Sequence, residues 1–176
     1  MRLLPIIATA AAAFLVVACS SPTPPSGVTV VDNFDAQRYL GRWYEIARFD
    51  HRFERGLEKV TATYSTMDDG GIQVINKGYN PERGMWQQSV GKAYFTGDTR
   101  KAALKVSFFG PFYGGYNVIA LDKDYRYALV CGPDRDYLWL LSRTPTLPDA
   151  VKKQLVDIAA REGFAVEKLL WINQNL

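Results

Sequence analysis

From Trp43 onward the chain alternates between runs rich in β-branched and aromatic residues and clusters of Gly, Pro, Asn and Asp. The runs are Trp43–Phe49, Val60–Ser65, Ile72–Tyr79, Met85–Phe95, Ala103–Phe109, Tyr116–Leu121, Tyr127–Cys131 and Leu138–Arg143. The punctuation falls at 68–71, 80–84, 96–99, 110–115, 122–124 and 132–136. Short runs joined by short turns predict an antiparallel meander, and most of these links are too brief for Greek-key crossovers. An open sheet of this size would leave two edges in need of cover, whereas closure removes both and leaves room for one small ligand. The expected fold is all-β: an eight-stranded antiparallel up-and-down β-barrel. Beyond it the period changes. Val151, Leu155, Ile158 and Ala159 form one face of a helix that starts at Thr146 or Pro148 and stops at Gly163. That single C-terminal α-helix is expected to pack outside the barrel and to be followed by a short final strand within 165–172.

Strand side chains alternate between faces, which assigns the interior. In the fifth run Leu104, Val106 and Phe108 oppose the polar Lys105 and Ser107. In the second, Val60, Ala62 and Tyr64 oppose Thr61, Thr63 and Ser65. Tyr116 and Val118 share a face of the sixth. Gly91 and Ala93 point the same way, and small inward residues leave a void. The one long link, 50–58, is charged and carries Phe53 and Leu57, as a rim or lid would.

Residues 1–18 carry one positive charge, Arg2, an apolar run and a small residue at the end, the layout of a secretory signal. The run contains Pro5 and is shorter than the roughly 20 residues a spanning helix needs. "VVAC" resembles the lipobox of bacterial lipoproteins, which implies that Cys19 is lipidated and becomes the N-terminus. Acyl chains there would hold the protein on a membrane. Ser20, in place of the aspartate that retains many such lipoproteins at the inner membrane, points to the outer membrane. Residues 19–31 then form the lipidated cysteine and a Ser/Pro-rich tether, and 32–176 the barrel domain. With Cys19 lipidated, Cys131 stands alone in a strand-like run and is expected to be a buried thiol.

Composition narrows the function. Of 176 residues 48% are hydrophobic, enough for a sizeable core. The net charge of +3 is interspersed without a basic stripe, so no nucleic-acid partner is expected. No Gly-x-Ser-x-Gly elbow, phosphate loop or Cys/His cluster occurs, so neither catalytic residues nor a metal site nor a cofactor is expected. The single histidine, His51, is the only residue on which a haem or tetrapyrrole carrier could be built, and as a lone loop histidine it reads first as surface decoration. A purely structural envelope lipoprotein with a filled barrel is the other alternative.

"NFDAQRYLGRWYEIAR" (33–48) resembles the first signature of the lipocalins, whose core is Gly-x-Trp. "LDKDYRYALV" (121–130) is similar to the second and "LWLLSR" (138–143) to the third. All three occur in order, and wider wording such as "FERGLEKVTATYS" and "SFFGPFYGGYNVIAL" resembles the outer-membrane lipoproteins of that family. The resemblance implies that Trp43 plugs the closed end, that Gly41 lets backbone pass beneath it, and that Arg143 lies across the indole. Arg143 facing Trp43 places Trp139 and Leu141 on the inward face, and Trp43 places Glu45 and Ala47 there too. The candidate ligand contacts are therefore Glu45, Tyr64, Val106, Phe108, Tyr116, Val118, Trp139 and Leu141. The implied cargo is a fatty acid or lysophospholipid, stored or moved at the bacterial outer membrane under stress by a protein facing the periplasm. Whether two chains pair as a homodimer around one ligand stays open.

Overall fold

Most strands end where glycine or proline makes a turn cheap, and the turns let neighbours in sequence become neighbours in space. A computed structural model describes residues 22–175. Its strands are β1 (Gly41–Phe49), β2 (Glu58–Thr66), β3 (Ile72–Asn80), β4 (Met85–Phe95), β5 (Ala103–Phe109), β6 (Phe112–Leu121), β7 (Tyr127–Cys131) and β8 (Leu138–Ser142). They pair antiparallel in chain order from β2 to β8, then β8 to β1, and β1 back to β2, which closes the barrel. The helix α2 (Asp149–Arg161) and a short β9 (Leu169–Trp171) follow. The eight-stranded barrel, the outer helix and the final strand are as the sequence predicts.

The ends of the barrel differ. Turns β2–β3, β4–β5 and β6–β7 surround the closed end together with a one-turn helix, α1 (Ala36–Tyr39), too short to show a period in the sequence. Asp35 caps it by accepting from the Gln37 amide. The β1–β2 loop and turns β3–β4, β5–β6 and β7–β8 surround the open end. The cluster 110–115, expected to be turn, is mostly strand: β6 starts at Phe112 and not at Tyr116. A Cβ on its Gly115 would stand 3.2 Å from the Pro133 backbone, so the glycine serves close packing.

Outside, α2 lays Leu155 and Ala159 against Ile46, Ala47, Phe49, Leu129, Leu138 and Leu140. Gly163 ends the helix region at φ +88°, a conformation glycine adopts without a Cβ penalty. β9 pairs with the second half of β1, Ala47 opposite Trp171, where β2 has turned away. Gln174 spans that gap by donating to the carbonyls of Glu45 and Val60.

One register shift changes an assigned face. Between Glu45 and Ala47 the register shifts, so Ala47 packs under the helix, contrary to the simple alternation, and the fully buried Arg48 takes the interior side. Further shifts, between Glu58 and Thr61, Val106 and Phe109, and Val118 and Ala120, leave the other assigned faces in place. Gly91 leaves no void: a Cβ there would stand 2.7 Å from a Phe108 ring carbon, so the ring occupies the space.

Cys19 and the signal lie outside the described residues. The described end of the tether is less free than its composition implies. Pro25 is buried, Val28 packs on the helix-side core, and the Val31 amide donates to the Val118 carbonyl at 2.9 Å.

Cys131 is buried on the helix side of β7, and burial pushes its thiol up to about 12. The folded chain therefore holds a proton that the unfolded chain releases above its ordinary value. Stability from this group is full below that value and is lost as pH rises toward about 12. Alkylation of Cys131 at neutral pH is expected only under denaturing conditions; rapid labelling of the native protein would contradict this burial.

Candidate functional site

The closed end is built on an indole. Trp43 is fully buried and donates from Nε1 to the Tyr39 carbonyl at 2.8 Å. The Arg143 guanidinium carbon lies 3.8 Å from the indole centroid. Its nitrogens donate to the carbonyls of Arg38, Leu40, Arg42 and Tyr125 at 2.8–3.1 Å. One side chain thus ties α1, β1 and the β6–β7 turn to the end of β8. Gly41 sits at φ +98° with the Arg143 Nη1 3.4 Å from where a Cβ would be. The backbone conformation, more than a collision, demands glycine here.

Above the indole lies a hydroxyl chain. Tyr116 Oη is 2.6 Å from Tyr39 Oη and 2.8 Å from Tyr64 Oη. Burial holds all three phenols well above their ordinary range. They remain neutral and partner one another, so this floor is satisfied without water.

Above the floor a cavity of about 570 Å³ opens to the mouth. Its walls include Val106, Phe108, Trp139, Tyr137, Val60 and Leu57, with Phe53, Phe109 and Phe112 at the rim. The volume falls within the roughly 300–1,000 Å³ usual for ligand pockets. Of the sequence-predicted contacts, Val106, Phe108 and Trp139 reach the wall. Tyr64, Tyr116, Val118 and Leu141 point inward but sit deeper, packed around the Trp43 floor. Alternation assigns a face and says nothing of height along the barrel.

Glu45 does not reach the cavity either. It pairs with Arg48, Oε1 to Nη1 at 3.1 Å, beneath the β1–β2 loop. Arg48 Nη2 donates to the Glu54 carbonyl at 2.8 Å, and Nη1 to that of Leu57 at 3.4 Å. The loop is thereby fastened to the barrel interior. The Glu54 carboxylate lies 3.4 Å from both Arg48 Nε and His51 Nε2, within ion-pair range but outside hydrogen-bond geometry. Burial, and then the Glu54 charge, raise Glu45 well above the usual carboxylate range against the pull of Arg48. Burial also pushes Glu54 up, but the His51 contact, with Glu45 and Arg48, outweighs it and leaves Glu54 below that range. The pair settles on one charged carboxylate facing one guanidinium. Arg48 and Glu54 escaped the sequence reading: the bulge hid the first, and a loop position gives no phase for the second.

His51 is not surface decoration. It is buried, its ring centroid 3.6 Å from that of Phe53 at a tilt of 39°, and turned toward Glu54. Its Nε2 faces a carboxylate and its ring is outside the cavity wall. Among the described residues no cluster of His, Cys, Asp or Glu has the arrangement of a metal site.

Comparison with known proteins agrees with this architecture. A family model described as "Lipocalin-like domain" matches residues 34–174. The chain is 78% identical over 174 residues to outer membrane lipoprotein Blc of Escherichia coli strain K12, covering 99% of this chain and 98% of that one. It is 40% identical to temperature-induced lipocalin-1 of Arabidopsis thaliana, covering 84% and 83% of the two chains. Among solved structures, insecticyanin from the tobacco hornworm Manduca sexta superposes with a TM-score of 0.69 at 21% identity, covering 86% and 87%, a likeness of fold alone.

Proposed function

Because this chain belongs to the lipocalin family, we propose that its cavity carries a single acyl lipid, a fatty acid or lysophospholipid, for storage or transfer during membrane maintenance. Its place is the outer membrane, as for the outer membrane lipoproteins to which nearly the whole chain is 77–78% identical. Acyl chains on Cys19 would anchor it there through the tether, facing the periplasm. The observation that carries the reading is the apolar cavity open at one end above a sealed floor. Burying about 15 methylenes at about 0.8 kcal/mol each yields about 12 kcal/mol gross. Ordering the chain and losing free motion reduce this toward micromolar affinity, about 8 kcal/mol net.

The purely structural alternative needs a filled barrel, which a 570 Å³ cavity does not provide. The haem alternative needs an imidazole in the cavity, and His51 is packed elsewhere. The site presents a sheltering surface with no paired nucleophile and base, so carriage is favoured over catalysis. A direct test is titration with a fluorescent polyene fatty acid. Val106→Trp, which fills the cavity wall, is expected to weaken binding at least tenfold; Val90→Trp, on the exposed face of β4, should leave it unchanged. Equal binding by both variants would remove the cavity from the reading.

A further inference from the structure

We propose that the cargo enters and leaves through the side of the barrel, between β4 and β5, with Phe108 as the gate, a route that rests on the acyl-lipid carriage proposed above. One edge of β4 is fully paired: β3 accompanies it from Ala93, opposite Ile72, to Met85, opposite Asn80. The other edge is not. β5 pairs with β4 only from Phe95 to Lys92, where Lys92 stands opposite Ser107, and from Gly91 to Met85 the ladder has ended. Every second residue of such a segment turns its N–H and C=O toward the missing neighbour. This stretch of wall is closed by side chains alone.

Phe108 is the side chain that closes it. It is the one β5 residue with no register partner in either neighbouring strand. Ser107 still faces Lys92 in β4, Phe109 faces Phe112 in β6, and the β5–β6 register shifts between Val106 and Phe109. A bulged residue is released from the ladder that holds its neighbours. Glycine stands in both adjoining strands. A Cβ on Gly91 of β4 would lie 2.7 Å from a Phe108 ring carbon, and a Cβ on Gly114 of β6 would meet nothing within 4 Å. The ring thus rests on bare backbone on one side and has open space on the other. A phenyl ring makes no hydrogen bond, so turning it to another rotamer costs packing only.

The ring separates two spaces. Inside lies the cavity of about 570 Å³, which Gln87, Gln88 and Ser89 of β4 border. Outside lies a surface pocket of about 290 Å³, which Gly91 and Lys92 border, and Phe108 and Phe109 line both. Moving one side chain therefore joins the two. A tail can then lie down into the cavity along the unpaired edge of β4 while the headgroup stays in water. No backbone hydrogen bond of the barrel has to break and no polar group has to be buried without a partner. The passage does not involve the open end.

Gln88 and Phe109 are exposed on the two sides of the seam. In a Gln88→Cys/Phe109→Cys variant a short bis-maleimide can join them, as peptide mass spectrometry confirms, while the buried Cys131 is spared. Stopped-flow mixing with a fluorescent polyene fatty acid gives the rates of uptake and release. The expected result is that both are at least tenfold slower in the joined protein than in the same variant capped with N-ethylmaleimide. Affinity should agree within threefold, because closing a route slows both directions equally. Phe108→Ala, in protein that still melts cooperatively, should take up the fatty acid at least threefold faster than wild type; loss of a wall contact alone would speed release and leave uptake unchanged. Equal rates in joined and capped protein, slower uptake with unchanged release, or unchanged uptake in Phe108→Ala would each overturn the side route and leave carriage standing. Wild-type protein that takes up no fatty acid would overturn both.

Discussion

Arg143→Ala is expected to lower the melting temperature by about 5–12 °C while changing fatty-acid affinity less than threefold. The substitution removes a guanidinium stacked 3.8 Å from an indole and its bonds to the carbonyls of Arg38, Leu40, Arg42 and Tyr125. The stacking contributes about 0.5–2 kcal/mol, and charged hydrogen bonds about 1.5–3 kcal/mol each when isolated. Partial exposure of Arg143 lets water replace some of these, so a net loss of about 2–4 kcal/mol is expected, at about 2–4 °C per kcal/mol for a chain of this size. Affinity changes little because the cavity opens at the other end, above the tyrosine floor. Coincident melting curves for variant and wild type would show that Arg143 does not close the barrel.

Arg48→Met is expected to have the opposite profile, lowering both stability and ligand affinity. Breaking a buried ion pair by removing one partner costs about 3–5 kcal/mol, because the remaining charge is left without compensation. Here the one charged carboxylate of the Glu45/Glu54 pair would lose its cation, and the β1–β2 loop would lose two of its fastenings to the interior. Since Glu54 lines the cavity next to Phe53 and Leu57, loosening the loop reaches the ligand wall. The pH dependence has a definite sign. Without Arg48 the folded-state pKa of Glu45, already above the unfolded value, rises further and that of Glu54 moves up from its lowered position, so stability is recovered as pH falls and lost as pH rises. The gap between variant and wild type should therefore narrow between pH 8 and pH 5, and a Glu45→Gln/Arg48→Met variant should recover part of the loss. A gap that widened on acidification would contradict the charge assignment.

The fold was legible because β-branched runs and turn residues recur at spacings that leave few alternatives to closure, and α2 because its period differs from theirs. The closed end was legible for another reason: Gly41, Trp43 and Arg143 belong to signatures recognisable as wording. The cavity was legible only in part. Alternation along β5 and β8 located Val106, Phe108 and Trp139, but it also put Tyr64, Tyr116, Val118 and Leu141 beside them. Height in a barrel depends on strand stagger, which no single strand encodes. The bulge after Glu45 reversed the phase of β1, exchanging Ala47 for Arg48, and nothing in "EIARF" marks it. The buried charges around His51 were illegible because a lone loop histidine ordinarily faces water, and here Phe53, Tyr137 and Trp139 surround it.

Native mass spectrometry of the protein purified from its own envelope tests the carrier reading most directly. The account predicts one acyl lipid per barrel, displaced by added fatty acid and lost in Val106→Trp. Protein that emerges empty, and that gives no response to a fluorescent fatty acid, would contradict it.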